Sequence, residues 1–163
     1  MKGVLLYIPV IICSSVLISC DTGKNKFRLL EPHQSGILFV NELVPTEELN
    51  ILTYLYYYNG SGVIIADFNN DNLNDIYLSS NQGEDRLYLN RGNLIFEDIT
   101  QLAGIRNSTG WTTGVTHVDI NNDGLLDIYV CKVGKYKSIT GENLLFVNQG
   151  VSENGVPVFK EEG

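Results

Sequence analysis

The sequence predicts an all-β protein that is assembled from repeated units of four short strands. Its 163 residues include 16 Gly and, counted along the chain, 17 Asn, and both residue types are common in tight turns. The 9 Tyr favour strands, and only residues 46–50 are a candidate for a short helix. A segment that begins at Gly62 recurs at Gly114, which indicates a repeated supersecondary unit.

Each repeat carries the signals of four strands. One strand precedes an acidic loop and one follows it, a third ends in Asn-x-Gly at Asn90 or Asn148, and a fourth begins at Phe96 or Phe159. Four antiparallel strands in a period of about 40 to 60 residues are typical of a β-propeller blade. The second unit has an extra loop around residues 134–142. About two blades are expected, and they form an incomplete ring because propellers have about four to eight.

The charge of the chain excludes one class of partner. The chain has 11 Lys and Arg against 19 Asp and Glu, a net charge of −8, and its isoelectric point is about 4.6. A protein that binds nucleic acid through phosphate contacts needs clustered Lys and Arg. No nucleic-acid partner is therefore expected.

The N-terminus has the pattern of an export signal. Residues 1–19 contain Lys2 followed by a short apolar run, which is typical of a signal peptide. The run ends in Leu-Ile-Ser-Cys, which resembles a bacterial lipobox, and this resemblance implies that Cys20 is lipidated. Residues 20–34 would then be the lipidated Cys and a tether. The alternative is an ordinary signal peptide or an N-terminal anchor helix.

Two acidic loops, residues 67–75 and 119–127, carry side-chain oxygens at loop positions 1, 3, 5 and 9. Alternate positions of a curled loop point inward, and Ca²⁺, which takes about six to eight oxygen ligands, fits such a cage. Position 7 would offer its backbone carbonyl while its Leu side chain turns to the core. The predicted ligands of up to two structural Ca²⁺ ions are Asp67, Asn69, Asp71, Leu73 and Asp75, and Asp119, Asn121, Asp123, Leu125 and Asp127.

The loops have two other interpretations. An EF-hand needs a Glu at position 12, where this chain has Leu78 and Val130. Asn- and Asp-rich turns that bind nothing remain the alternative, but two loops of equal spacing and the mutual repulsion of three carboxylates in each favour a metal. Position 6 requires a left-handed residue, which Gly124 and Asn72 can supply.

The loop and its flanking strands resemble the FG-GAP/VCBS repeat. Residues 87–92, 96–100 and 110–114 are similar to a subgroup that includes cartilage acidic protein and bacterial proteins with an ASPIC/UnbV domain. The resemblance covers about residues 35–163, which would form a partial propeller. It implies a seven-bladed propeller with Ca²⁺ loops on one rim, in proteins that mostly bind or scaffold. Asn72 departs from the usual Gly of this motif, and Asn at position 3 replaces a frequent Asp.

The expected function is that of a calcium-binding, lipid-anchored propeller module for binding or scaffolding at the bacterial cell envelope, as an outer-membrane lipoprotein. A protein or glycan ligand is possible, and no enzymatic activity is expected. The alternatives are a fragment of a propeller-based enzyme acting on polysaccharides, for which Tyr56 and His117 are the candidate residues, and a purely structural repeat region. The tyrosines at 54 and 56–58 either stack on sugar rings or belong to a packed strand of the first blade.

Overall fold

The structure, a computed structural model, describes residues 27–107 and 109–163. The predicted signal peptide (residues 1–19), the predicted lipidation site at Cys20 and the first part of the tether lie outside the described residues. Within the described ranges, no helix combines the length and the apolar character that crossing a membrane requires.

Two antiparallel sheets of four strands make up most of the fold. The first has the order β1-β2-β3-β4 and the second has the order β5-β6-β9-β10, with a small β7-β8 hairpin in the extra loop. The strands are β1 Val63–Ala66, β2 Asp75–Leu78, β3 Arg86–Asn90, β4 Phe96–Asp98, β5 Thr112–Val118, β6 Asp127–Lys132, β7 Lys135–Tyr136, β8 Ile139–Thr140, β9 Leu144–Val151 and β10 Pro157–Glu161. The all-β prediction and the four-stranded blades are confirmed, and the two sheets do not close into a ring.

The segment before the first blade differs from the sequence prediction. The candidate helix at residues 46–50 is absent, and residues 47–50 form bends. The one helix of the described residues, α1 (Pro32–Ser35), is a single turn. Side chains of this segment bond to its backbone: Leu49 N–H donates to Thr46 Oγ1 at 3.0 Å, and Leu52 N–H donates to Asn50 Oδ1 at 2.9 Å. Such bonds compete with the backbone bonds of a helix.

The tyrosines of this segment lie in turns, so the prediction that they form a strand of the first blade is wrong. Tyr54 and Tyr57 are buried in a second, smaller core with Trp111. The Trp111 ring centroid lies 5.4 Å from that of Tyr54, edge to face, and 5.3 Å from that of Tyr57. The aromatic contacts attach residues 49–57 to the start of β5, whereas Tyr56 and Tyr58 are exposed.

The main hydrophobic core lies between the two blades. Ile64 of β1 and Leu87 of β3 pack with Ile128 of β6 and Phe146 of β9, and all four side chains are buried. Burial of one such side chain stabilises the fold by about 1.5–3 kcal/mol. The first strands of the two blades, β1 and β5, lie beside each other, as the inner strands of neighbouring propeller blades do.

Two further contacts tie the outer strand of the second blade to the first blade. Phe159 N–H donates to the carbonyl oxygen of Ala103 at 2.8 Å. The rings of Phe159 and Phe68 meet edge to face, with centroids 5.7 Å apart. The outer strand of the second blade therefore contacts the loop after β1 and the turn after β4.

Gly62, just before β1, lies close against β5 of the second blade. A Cβ atom built on Gly62 would lie 2.8 Å from the backbone nitrogen of Val115 and 2.8 Å from its Cγ2 atom. We expect Gly62→Ala to push β1 away from β5 and to lower the free energy of unfolding by about 1–2 kcal/mol, the cost of overpacking. Urea denaturation of the original chain and of the Gly62→Ala variant measures this difference in the free energy of unfolding.

Gly114→Ala is the matched control for this prediction. Gly114 lies in β5, has no positive φ, and has nothing within 4 Å of the place that a Cβ atom would take. Its substitution should leave the free energy of unfolding nearly unchanged. Equal effects of the two substitutions would contradict the close approach at Gly62.

Candidate metal centre

The two acidic loops occupy the same place in the two blades. Residues 67–74 connect β1 to β2, and residues 119–126 connect β5 to β6. Asn70 Nδ2 of the first loop donates to the carbonyl oxygen of Gly124 in the second loop at 3.5 Å, so the two loops are neighbours. The loops therefore lie at one end of the pair of blades.

Both loops pass twice through the left-handed region of backbone conformation. At position 6, Asn72 has φ 68° and Gly124 has φ 84°, so the predicted left-handed turn is present in both. At position 4, Asn70 has φ 58° and Asn122 has φ 61°. Sequence reasoning missed position 4, although an Asn at that place in both repeats was a visible signal, because Asn adopts this conformation more readily than other non-glycine residues.

The Asp at position 1 receives two backbone N–H groups of its own loop. Asp67 accepts from Asp71 N–H at 3.1 Å and from Asn72 N–H at 2.7 Å. In the second loop, Asp119 accepts from Asp123 N–H at 3.0 Å and from Gly124 N–H at 2.9 Å. These bonds curl each loop around its first carboxylate.

The Asp at position 5 accepts a hydrogen bond from the backbone N–H of position 7 in both loops. The Oδ1 atom of Asp71 accepts from Leu73 N–H at 2.8 Å, and that of Asp123 accepts from Leu125 N–H at 2.8 Å. The Leu73 side chain is 38% exposed, and Leu126, at position 8, packs on the main core. The expectation that position 7 turns its side chain to the core is therefore wrong for Leu73.

The Asp at position 9 lies below the loop and is fully buried in both blades. Asp75 accepts from Phe68 N–H at 3.1 Å and from Asn90 N–H at 2.9 Å. Asp127 accepts from Ile120 N–H at 2.9 Å and from Asn148 N–H at 2.8 Å. Each carboxylate thus links its loop to the third strand of its blade.

The pKa of Asp75 is raised from 3.8 to about 6, chiefly by burial. The two backbone N–H bonds lower this pKa, and the negative charges of Asp71 and Asp67 add to the rise. Desolvation disfavours the ionised form of a carboxyl group. A cation in the loop would favour the ionised form of the same group.

The Asn of each Asn-x-Gly motif supports the loop from the third strand. Asn90 Nδ2 donates to the carbonyl oxygen of Asn74 at 2.8 Å, and Asn148 Nδ2 donates to that of Leu126 at 3.3 Å. Asn148 Nδ2 also donates to the carbonyl oxygen of Phe68 in the first blade, at 2.9 Å. The sequence showed this repeated motif, but its contact with the loop was not predicted.

Asn69, at position 3 of the first loop, has an oxygen that is suited to a cation. Its Nδ2 donates to Asp71 Oδ2 at 3.0 Å and to the carbonyl oxygen of Gly155 at 3.0 Å. These two acceptors fix the orientation of the amide, since the reverse orientation would place oxygen against oxygen. Its Oδ1 atom is buried and has no hydrogen-bond donor among the described residues.

The second loop differs at the same position. Asn121 Nδ2 donates to Asp123 Oδ2 at 2.9 Å, while Asn121 Oδ1 accepts from Asp123 N–H at 3.1 Å. The two loops therefore share the arrangement of their carboxylates, but only in the first, within the described residues, is the amide oxygen at position 3 buried and without a donor.

The loops offer carboxylate, amide and carbonyl oxygens, a donor set that would suit Ca²⁺ better than a transition metal. In residues 27–107 and 109–163, no three side chains of His, Cys, Asp or Glu come together closely enough to hold a metal ion by themselves. A cation here needs amide and backbone carbonyl oxygens beside the carboxylates, and such oxygen donors suit Ca²⁺. The buried oxygen of Asn69 is a donor of this kind, so the residues of the first loop fit the ion.

The architecture and the loops define a β-propeller type of repeat, with one acidic loop between the first two strands of each blade. Residues 67–130 match the family model of the FG-GAP-like repeat. This match supports the FG-GAP repeat family for the part of the chain that holds both loops. A search of the curated proteins gives no match to this chain.

The other candidate functional residues identified from the sequence do not form a site with the acidic loops. Tyr56 lies in the turns before the first blade and His117 lies in β5, and both side chains are exposed. Cys131, in β6, is half-buried and is not in a disulfide within the described chain. Cys20, the predicted lipidation site, lies outside the described residues.

Proposed function

We propose that this chain is a calcium-binding β-propeller module that serves in binding or scaffolding rather than in catalysis. The observation that carries the proposal is the buried Oδ1 atom of Asn69, which has no donor among the described residues and lies in a loop with carboxylates at positions 1 and 5. A buried amide oxygen without a partner is costly, and a cation supplies the missing partner.

The ion would have a structural role. Asp67, Asn69, Asp71, Leu73 and Asp75 would hold it in the first loop, and Asp119, Asn121, Asp123, Leu125 and Asp127 would hold a second ion in the second loop. In the first loop the negative charges of Asp67 and Asp71 raise the pKa of Asp75, and a divalent cation would offset this repulsion. Calcium would thereby stiffen the loop end of both blades.

The proposed location is the bacterial cell envelope, with the module attached to the outer membrane through a lipid on Cys20. The lipobox-like sequence that ends at Cys20 supports this location. The finer resemblance, to the subgroup that includes cartilage acidic protein, is also part of the proposal. Its ligand would be a protein or a glycan, and the net charge of −8 disfavours nucleic acid.

Calcium titration tests the metal site. We expect calorimetry to give saturable binding of about two Ca²⁺ ions, and Ca²⁺ at about tenfold its dissociation constant to stabilise the chain by about 1.4 kcal/mol per site. Mg²⁺ should stabilise the chain poorly, because it requires a smaller octahedral cage. Asp67→Ala and Asp119→Ala should each remove one ion.

Glu153→Ala is the control, since Glu153 is an exposed acidic residue outside both loops. It should leave the number of bound ions at that of the original chain. Thermal melts in chelator show whether each variant is folded. If a folded chain binds no Ca²⁺, or if neither Asp substitution changes the binding, the metal site is refuted.

A further inference from the structure

A pocket at the opposite end of the blades from the acidic loops is lined by several positively charged side chains, although the protein as a whole is acidic. It has a volume of about 490 Å³ and lies between the segment before β5 and the β7-β8 insertion. Arg106, Lys132 and Lys135 line it, together with one acidic residue, Glu142. The pocket therefore has an excess of positive charge, although the whole chain has a net charge of −8.

The three cations of this pocket lack a carboxylate partner within the described residues. The ion pairs found there involve Arg86, Arg91 and Lys160, and none involves the pocket cations. Arg106 and Lys135 are exposed, and Lys132 is half-buried. Their positive charge is therefore not neutralised by direct ion pairs in this part of the chain.

Lys132 is held in a fixed position at the wall of the pocket. Its Nζ atom donates to the side-chain oxygen of Asn107 and to the carbonyl oxygen of Thr109. Both acceptors are neutral, and an ammonium group has three donors, so one N–H is left for a ligand. Burial lowers the pKa of Lys132, and the negative charge of Asp85 opposes this effect.

Asn107 connects this lysine to a buried carboxylate. Its Nδ2 atom donates to Asp85 Oδ2, which also accepts from the Tyr77 hydroxyl at 2.6 Å. Asp85 Oδ1 accepts from Ser80 N–H at 2.8 Å. This network orients Asn107, and Asn107 in turn orients Lys132, so the ammonium group is positioned before any ligand arrives.

We propose that this pocket binds an acidic sugar of the hexuronate type, with Arg106, Lys132 and Lys135 at its carboxylate. Charge-assisted hydrogen bonds from these groups to a carboxylate are strong. Thr109 and Thr140 also line the pocket, are exposed and offer hydroxyl groups for sugar hydroxyls. The volume lies in the range of about 300–1,000 Å³ that is typical of small-molecule sites.

The proposal goes beyond calcium binding, because the pocket lies on the other end of the blades and uses none of the loop residues. NMR titration of the full-length chain with galacturonate at about 0.15 M salt tests it, in chelator and in Ca²⁺. We expect saturable shifts in the pocket residues in both conditions. Galactose, which lacks the carboxylate, should bind at least tenfold more weakly.

Two double variants separate the pocket from the general charge of the protein. Arg106→Ala with Lys135→Ala should weaken galacturonate binding at least tenfold. Arg28→Ala with Lys137→Ala removes the same charge from exposed residues that do not line the pocket, and should weaken binding less than twofold. All four side chains are exposed, so both variants should fold, as thermal melts will show.

Three outcomes would overturn the proposal. The absence of saturable galacturonate binding refutes it, as does equal weakening in the two double variants, which indicates long-range charge alone. Acetate or inorganic phosphate bound as tightly as galacturonate refutes a site for an acidic sugar. Failure of Ca²⁺ binding with galacturonate binding intact would refute the metal site and leave this one standing.

Discussion

Asp127→Ala should lower the free energy of unfolding by about 3–4 kcal/mol in chelator. The substitution removes the acceptor of Asn148 N–H, which is buried, and that of Ile120 N–H. A buried donor without a partner costs about 1–3 kcal/mol, and hydrogen bonds to charged groups are at the upper end of the usual range. Urea denaturation followed by circular dichroism measures the loss.

Asp123→Ala is the control in the same loop. Its hydrogen bonds to Leu125 N–H and to the Asn121 side chain are exposed, so water can replace the carboxylate. In chelator we expect a loss of less than about 1 kcal/mol. Equal losses in the two variants would mean that position 9 does not anchor the loop to the third strand.

The stability of the calcium-free chain should increase as the pH falls from about 7.5 to 4.5. The pKa of Asp75 is about 6 in the folded chain, against an ordinary value of 3.8, so between these two pH values the folded state holds a proton that the unfolded state lacks. The contribution of Asp75 is present below pH 3.8 and is lost as the pH rises through 6. A difference of about two pKa units corresponds to about 2–3 kcal/mol.

Saturating Ca²⁺ should abolish the part of this increase in the free energy of unfolding that comes from protonation of Asp75, because a nearby cation favours the ionised carboxylate. Asp75→Asn should remove the same share in chelator. The pKa of the buried Asp85 is also raised, so part of the pH dependence should persist in both cases. Urea denaturation at several pH values measures it, and a slope that neither Ca²⁺ nor Asp75→Asn alters would contradict the role of Asp75.

The sequence was sufficient for the blades and the loop positions, because both depend on local patterns. The repeat that begins at Gly62 and Gly114 predicted the strands on either side of each loop, and the left-handed turn at Asn72 and Gly124 followed from loop geometry. Residues 46–58 were mispredicted, because local side-chain bonds and the packing of Tyr54 and Tyr57 on Trp111 determine their path.

The difference between the two loops could not be predicted from the sequence. Position 3 is Asn in both, yet Asn69 Nδ2 donates to Gly155, which is 86 residues further along the chain, whereas Asn121 bonds within its own loop. The burial of Asp75 and Asp127 depends on the third strand of each blade in the same way. Contacts of this kind are set by how the blades dock, which spacing within a loop does not encode.

The hydrogen bond from Asn69 to the carbonyl oxygen of Gly155 links the first loop directly to the second blade. Gly155 lies in the turn before β10, so the second blade holds the side-chain amide of Asn69 in the first loop. Separation of the blades would release the amide and weaken the binding of the proposed Ca²⁺ ion. By reciprocity, an ion bound there resists their separation, so the module should bear more pulling force when calcium is abundant than when it is scarce.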